Sequence, residues 1–438
     1  MEKWKRTMWI LWIGVLFCSA SYTMSVPFLP LFLFDLGVQE SSVNLWAGIV
    51  HSSAFLVGAV MAPLWGMLAD KYGKRMMVIR AGLSLAVIYA LIAFVQTPEQ
   101  LVGARMLHGF VGGFVPASMS IVASIAPKQQ LGWSLGMMQA GAMTGGILGP
   151  LFGGVLAELF GLRNSFIAAA AIILGATIAV IVWVRESAAG QAASGEKQGK
   201  KEGRKDHGKE HGKQTQQEGD NQGAAAPAKA EPITFRMAFR NRSLVNMLLL
   251  LVVFQLSINM IQPLMALHIA DMSGSGAGSE GVVLSAGLVL SLIGIAGILA
   301  SPLWGRLGER KGYYRILVLC FMCAGTVICM QYFVEQLWLF AIVQFVFGLF
   351  MAGIGPIVNT LMVQSTDEQF RGRTFGLTAS ANQFGGMLGP LIGGVLGMAL
   401  NIHWIFVTTG VIMMMAGLAV WRMRHTTAKR TSKVHVAG

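Results

Sequence analysis

Apolar residues run along this chain in blocks long enough to cross a bilayer, separated by short polar stretches that hold nearly all of the charge. A helix needs about 20 apolar residues to span the hydrocarbon core. Twelve stretches qualify: 8–34, 44–68, 76–95, 100–125, 133–160 and 164–184, then 243–269, 282–307, 316–334, 337–363, 374–400 and 402–421. The pattern predicts an all-α membrane protein of twelve transmembrane helices in two six-helix halves, residues 1–185 and 243–421, with a polar linker at 186–242 and a tail at 422–438. An even number of crossings brings both termini to one side.

The halves are copies of one another. Gly136, Gly145, Gly149, Pro150, Gly153 and Gly154 recur 240 positions later as Gly376, Gly385, Gly389, Pro390, Gly393 and Gly394. APLWGMLADKYGKR, ending at Arg75, recurs as SPLWGRLGERKGYY, ending at Tyr314, displaced by 239. Each half returns the chain to its starting side, so the repeats are parallel.

Lys and Arg decide which side that is, since short loops rich in them stay in the cytoplasm. The N-terminus, Lys71, Lys74, Arg75, Lys128, the linker, Arg306, Arg310, Lys311, Arg371, Arg373 and the tail fall on one side, and of the cations only Arg163 on the other. Both termini are therefore expected in the cytoplasm. The outer loops instead carry Glu40, Glu99, Asp271, Glu280 and Glu335.

Composition excludes several classes. A chain 54% hydrophobic and 12% charged has more apolar residues than a soluble core of this length hides. The net charge of +13 comes from cations placed between apolar spans, not clustered on a soluble face, which argues against nucleic acid. Cys320 and Cys323 form a CxxC inside an apolar run with no His at metal spacing, so no metal or disulfide is inferred. The apolar run after MEKWKRT outlasts a signal peptide and reads as a retained first span. Residues 186–242, rich in Gly, Lys, Gln and Glu, bury too little to order and read as a disordered cytoplasmic linker; His207 and His211 there, among lysines and without cysteine, do not read as a metal site. No phosphate-binding GxxxxGK[ST] occurs, so no nucleotide or other cofactor is expected and transport would draw on a gradient.

Glycines at spacing four, Gly141, Gly145, Gly149 and Gly153, share one helix face and admit close approach of another helix. They are read as a sliding interface between halves, with Pro150 favouring a bend. Arg105 is the only Lys or Arg well inside a span, ~8 Å below the outer boundary, where a charge is expensive and points to function unless it snorkels. His108, one turn deeper, could relay a proton or simply pack.

Three elements together resemble the major facilitator superfamily, and within it the twelve-span drug:proton antiporters, over the whole chain apart from the linker. They are the loop Gly66 to Arg75 with Asp70 and Gly73, the span 4 residues Leu101, Arg105 and Gly109, and the glycine–proline pattern of span 5 with Gly154. The chain departs from that pattern at His108, at Gln344 in place of a second arginine, and at Glu309 in place of the repeated aspartate.

The resemblance implies alternating access, with Asp70 latching against the start of span 11 near Gly372 at the cytoplasmic face and Gly66, Gly73, Arg75, Gly145, Gly149, Pro150, Gly153, Gly154 and Glu309 acting in gating. It implies a substrate site at the midplane on Tyr22, Met24, His108, Gln139, Asn259, Gln262, Asn359, Met362 and Asn382. Proton coupling would fall to Arg105, His108, Asp35 and Glu158; the two acids stand near the outer interface, and Asp35 is favoured to exchange with Arg105. The expected protein is a plasma-membrane exporter, working as a monomer, that trades small amphipathic or cationic compounds for protons. An importer of a sugar or other metabolite is the alternative, and a non-transporting sensor a more distant one.

Overall fold

The computed structural model describes residues 2–127, 130–184, 242–273, 281–364 and 371–436. Every regular element among them is helical. The elements are α1 (Lys3–Ser25), a 3-10 turn (Val26–Phe28), α2 (Leu29–Asp35), α3 (Glu40–Tyr72), α4 (Lys74–Ala93), α5 (Pro98–Val111), α6 (Phe114–Ile125), α7 (Leu131–Phe160) and α8 (Leu162–Trp183). After the linker, most of which lies outside the described residues, follow α9 (Arg242–Met272), α10 (Val282–Lys311), α11 (Tyr313–Met330), a second 3-10 turn (Gln331–Phe333), α12 (Leu337–Gln364), α13 (Arg371–Ala399) and α14 (Ile402–Val436).

Eleven helical stretches among the described residues are long and apolar enough to cross a membrane. The helix α13, where the eleventh span was expected, is not among them: Asn382, Gln383 and a run of glycines lower its hydropathy. It nevertheless packs between α3 and α9. At the far end α14 continues to Val436 instead of stopping at Trp421, because no residue from Arg422 to Val436 is a Gly or Pro that would break it.

Two expected spans are interrupted. Span 1 passes through the 3-10 turn, where Pro27 opens the turn and Pro30 opens α2, each at a position whose N–H is not needed. Span 4 breaks at Gly112–Gly113, with Gly113 in the left-handed region at φ 118°. A break inside a membrane exposes backbone carbonyls that must be satisfied by protein. Here the indole of Trp65 donates to the Phe110 carbonyl, and Arg80 Nη2 donates to the Gly112 carbonyl at 3.1 Å while its guanidinium stacks 3.4 Å over the Trp65 ring.

The repeat is visible in these contacts. Trp304, the partner of Trp65 in the second PLWG, donates to the Leu349 carbonyl at 2.6 Å, again 45 residues along. The helix it meets, α12, stays unbroken through Pro356. Gly73 and Gly312 both sit at φ 93°, each closing one helix and opening the next.

Candidate functional site

Between the two sets of helices run two seams, α3 against α13 and α7 against α10, which the repeat exchanges. On the first, Asn44 Nδ2 donates to the Gly397 carbonyl at 3.0 Å and Ser52 Oγ to the Met387 carbonyl at 2.7 Å, while a Cβ on Gly48 would overlap the Pro390 carbonyl. On the second, Ser291 Oγ donates to the Ile147 carbonyl at 3.0 Å, and a Cβ on Gly287 would overlap the Pro150 carbonyl. Both seams are closed at the end of the bundle carrying Glu40 and Glu158. Toward the other end they part: Val60, Met67 and Leu303 are 64%, 60% and 63% exposed, and nothing lies within 4 Å of a Cβ built on Gly66, Gly136 or Gly305.

The spacing-four glycines do not line a seam, contrary to the sliding interface read from the sequence. Added Cβ atoms at Gly141, Gly145, Gly149 and Gly153 would strike Trp12, Leu16, Ala20, Thr23 and Met24 of α1, in the same half. Their counterparts Gly385, Gly389 and Gly393 meet Val252, Leu256 and Met260 of α9. The seam belongs to a neighbouring face of the same helix, with Ile147, Pro150 and Gly154 on α7. Spacing fixes that residues share a face, but not which helix fills it.

Arg105 sits on α5 with no exposed surface, and its three guanidinium nitrogens have no hydrogen-bond partner. It does not snorkel. Its guanidinium lies 5.8 Å from the Tyr22 ring centroid, a cation–π contact, and His51, Tyr89 and His108 are within its electrostatic reach. The His108 ring is held between Tyr22 at 5.4 Å and Tyr89 at 5.6 Å. Desolvating a charge still carries a penalty of several kcal/mol after relaxation, so a cation held without a counter-ion is strained unless something else supplies negative charge.

Beside this cluster lies a cavity of about 350 Å³ walled by α1, α4, α7, α8 and the break in span 4, with Ser19, Tyr22, Thr23, Tyr89, His108 and Phe114 facing it. A second cavity of about 230 Å³ lies between the halves, lined by Thr23 and Pro27, by Pro150, by Gln262 and Met265 of α9, and by Gln344, Phe347 and Met351 of α12. Thr23 and Gly146 border both. The second is mainly apolar, with the Gln262 and Gln344 amides and the Thr23 hydroxyl as its polar side-chain groups. Gln344 is fully buried, accepts from Gln331 Nε2 at 2.7 Å and points its own Nε2 at the Met265 sulfur at 3.3 Å.

Of the residues expected to bind substrate, Tyr22, His108 and Gln262 face these cavities. Met24 is buried under Gly153, and Asn259 turns its amide to its own helix at the Gln255 carbonyl, 2.7 Å away. Met362 is buried, with the Thr378 hydroxyl 3.9 Å from its sulfur, while Gln139 and Asn359 are exposed and Asn382 is half-buried with an unpartnered Oδ1. Sequence reading missed Thr23, Tyr89, Gln344, Phe347 and the buried His51. Gln344 was within reach, since the repeat sets it at the position of Arg105; the others are helix residues without a motif.

Asp35 is not brought to Arg105. It is exposed at the end of α2, thirteen residues or ~20 Å of helix beyond Tyr22, and the cation that reaches it is Arg163. Arg163 itself donates to the carbonyls of Ala93 and Val95, both at 2.9 Å. Glu158 accepts the backbone N–H of Gly281 at the start of α10. Arg75 Nη2 donates to the Ile181 carbonyl at 2.8 Å and its Nε to the Val184 carbonyl, fastening α4 to the end of α8 within one half. Glu309 is exposed. The side chain of Asp70 and those at the start of α13, including Gly372, lie outside the described residues.

The model of the Major Facilitator Superfamily matches this chain over residues 11–297 and again over 256–437. The multidrug resistance protein MdtG of Dickeya zeae is 28% identical over 420 residues, covering 95% of this chain and 94% of that protein. MdtG of Citrobacter koseri is 28% identical over 436 residues, with 98% of each chain covered. Among solved structures, the nucleoside transporter NupG superposes with a TM-score of 0.73 at 12% identity, over 97% of this chain and 99% of that one. A bacterial homolog of the human lysosomal transporter Spinster, inward-facing and unoccupied, gives 0.70 at 12% identity over 98% of both. At such identity these two likenesses speak for the fold alone.

Proposed function

The chain belongs to the Major Facilitator Superfamily, and on that premise we propose that it is a multidrug exporter, moving small amphipathic compounds outward in exchange for protons by alternating access. It is a multi-pass membrane protein. In this reading twelve spans form two six-helix halves, α13 being the eleventh, with both termini in the cytoplasm. The observation that carries alternating access is the pair of seams, closed at one end and parted at the other. The positive-inside bias puts the parted end in the cytoplasm, so the state is open inward.

The substrate occupies the cavity between the halves, against Gln262, Gln344, Met265, Phe347 and Met351, where flexible thioethers and aromatic faces suit varied apolar guests. The neighbouring cavity of the first half, with Tyr22, His108 and buried Arg105, handles the proton. A buried arginine keeps its charge, so the groups beside it, His51, Tyr89 and His108, move the proton in its field. Full-length relatives whose names state multidrug resistance support export. The test is reconstitution: a lipophilic drug should drive proton movement across proteoliposomes, and a proton gradient should drive drug accumulation. Drug flux indifferent to the gradient would leave a facilitator in place of an antiporter.

A further inference from the structure

The seam between α7 and α10 ends in a contact that the other seam lacks. Its steps are Ile147 with Ser291 and Gly294, Pro150 with Gly287, then Gly154 with Val283 and Leu284, and one turn further the Glu158 carboxylate with the N–H of Gly281. Gly281 is the N-cap of α10, a helix of 30 residues, and stands at φ 87°. The carboxyl group of one half thus accepts from the N-cap of a long helix of the other, at its partly positive N-terminus. The repeat puts Met398 where Glu158 stands, and the α3–α13 seam ends instead in the uncharged bond from Asn44 to the Gly397 carbonyl. One outer seam therefore closes through a titratable group and its counterpart does not.

We propose that Glu158 is a proton-released latch of the outer gate. While ionised it holds α10 against α7 and keeps the outer end shut. A proton arriving from outside adds to a carboxylate oxygen, the charge facing the α10 N-terminus disappears, and the seam is free to part. This rests on the antiport reading above and supplies it with an entry point for the external proton. The other ionisable groups described at this end are Arg163, committed to the Ala93 and Val95 carbonyls and in reach of Asp35, Asp271 at the end of α9, Glu40 and Glu99 in the first turns of α3 and α5, Glu335 before α12, and the His268–His403 ring pair. Glu280 is outside the described residues. None of the described groups pairs with Glu158, for the ion pair among the described residues is Lys5 with Glu2.

The experiment places a single cysteine in the closed seam, Ser291→Cys, in the full chain with its four native cysteines replaced. It then measures labelling by an impermeant maleimide from the outer side. Lowering the outer pH from about 7 to about 4.5 brackets the ordinary carboxylate range. Because the thiolate is the nucleophile and is lost as the pH falls, every rate is taken relative to that of free cysteine at the same pH; with Glu158 present, this relative labelling rate should rise about two- to fivefold as the pH falls. Glu158→Gln, which keeps an acceptor oxygen but no charge, should label at the quick rate throughout. Glu158→Asp, ionisable on a shorter arm, should retain the pH response, and it serves if the glutamine variant fails to insert. A glutamine variant as slow as the parent at pH ~7, or one with the parent's full pH response, overturns the latch, as does an aspartate variant without any pH response. Failure of the antiport reading would show separately, as drug flux in the unaltered chain that ignores the proton gradient.

Discussion

At the scale of single residues, charge and amides inside the bilayer dominate. Arg105 is buried among aromatic rings and two histidines with its donors unmet, and its role in the proposed cycle is a fixed positive field. Lysine offers a compact ammonium that can shed its proton when desolvated, so it does not replace that field. Arg105→Lys should therefore insert normally yet lose at least about tenfold in proton-coupled export; substrate-driven proton uptake in proteoliposomes measures it, and a variant at the parent rate would reduce Arg105 to a packing role. Gln344 and Gln331 form a buried amide pair. Gln344→Leu strands the Gln331 donor at a cost of about 1–3 kcal/mol, read as a fall in Tm of the detergent-purified protein. The double replacement by leucine should recover part of that loss, because neither amide is then left alone.

At the scale of elements, the glycine–proline helix α7 has two working faces. Gly149 packs on α1 within one half, and Gly154 packs on α10 across the seam. Gly149→Leu should overpack the half itself, with a loss of about 1–3 kcal/mol or more and a lowered Tm. Gly154→Leu should leave the half folded but hold the outer seam apart, raising labelling of outer seam cysteines. Equal effects of the two on stability and on gating would refute the division. The broken span 4 makes a related point: Trp65 and Arg80 satisfy the carbonyls that the Gly112–Gly113 break exposes. Trp65→Phe keeps the ring but removes the donor and should lower stability by about 1 kcal/mol.

At the scale of the whole molecule, the proposed reading makes the chain two copies of a six-helix plan meeting along two repeat-related seams. Cysteines placed at Gly66 and Gly305, where the seams part, should label readily from the cytoplasmic side and become protected when the protein is driven outward-open. Labelling insensitive to substrate and gradient at both positions would count against alternating access. The helical membrane plan was written in the sequence: hydrophobic runs of bilayer length and the 240-residue repeat mark the type and order of the elements, because the bilayer leaves helices with satisfied backbones as the only economical answer, whereas the breaks in spans 1 and 4 and the low hydropathy of α13 left their number open. Buried Arg105 was equally plain, since a lone charge in an apolar run has no bland explanation except snorkelling. What the sequence could not decide was which neighbour each helix face meets. That choice put the spacing-four glycines on α1 instead of the seam, gave Asp35 to Arg163 and Glu158 to the end of α10, and gathered Tyr89, His51 and Gln344 around sites that no local pattern marks. Periodicity is a property of one helix, whereas contacts across halves depend on the angle and depth at which two helices dock, and those are set by the packing of the whole bundle.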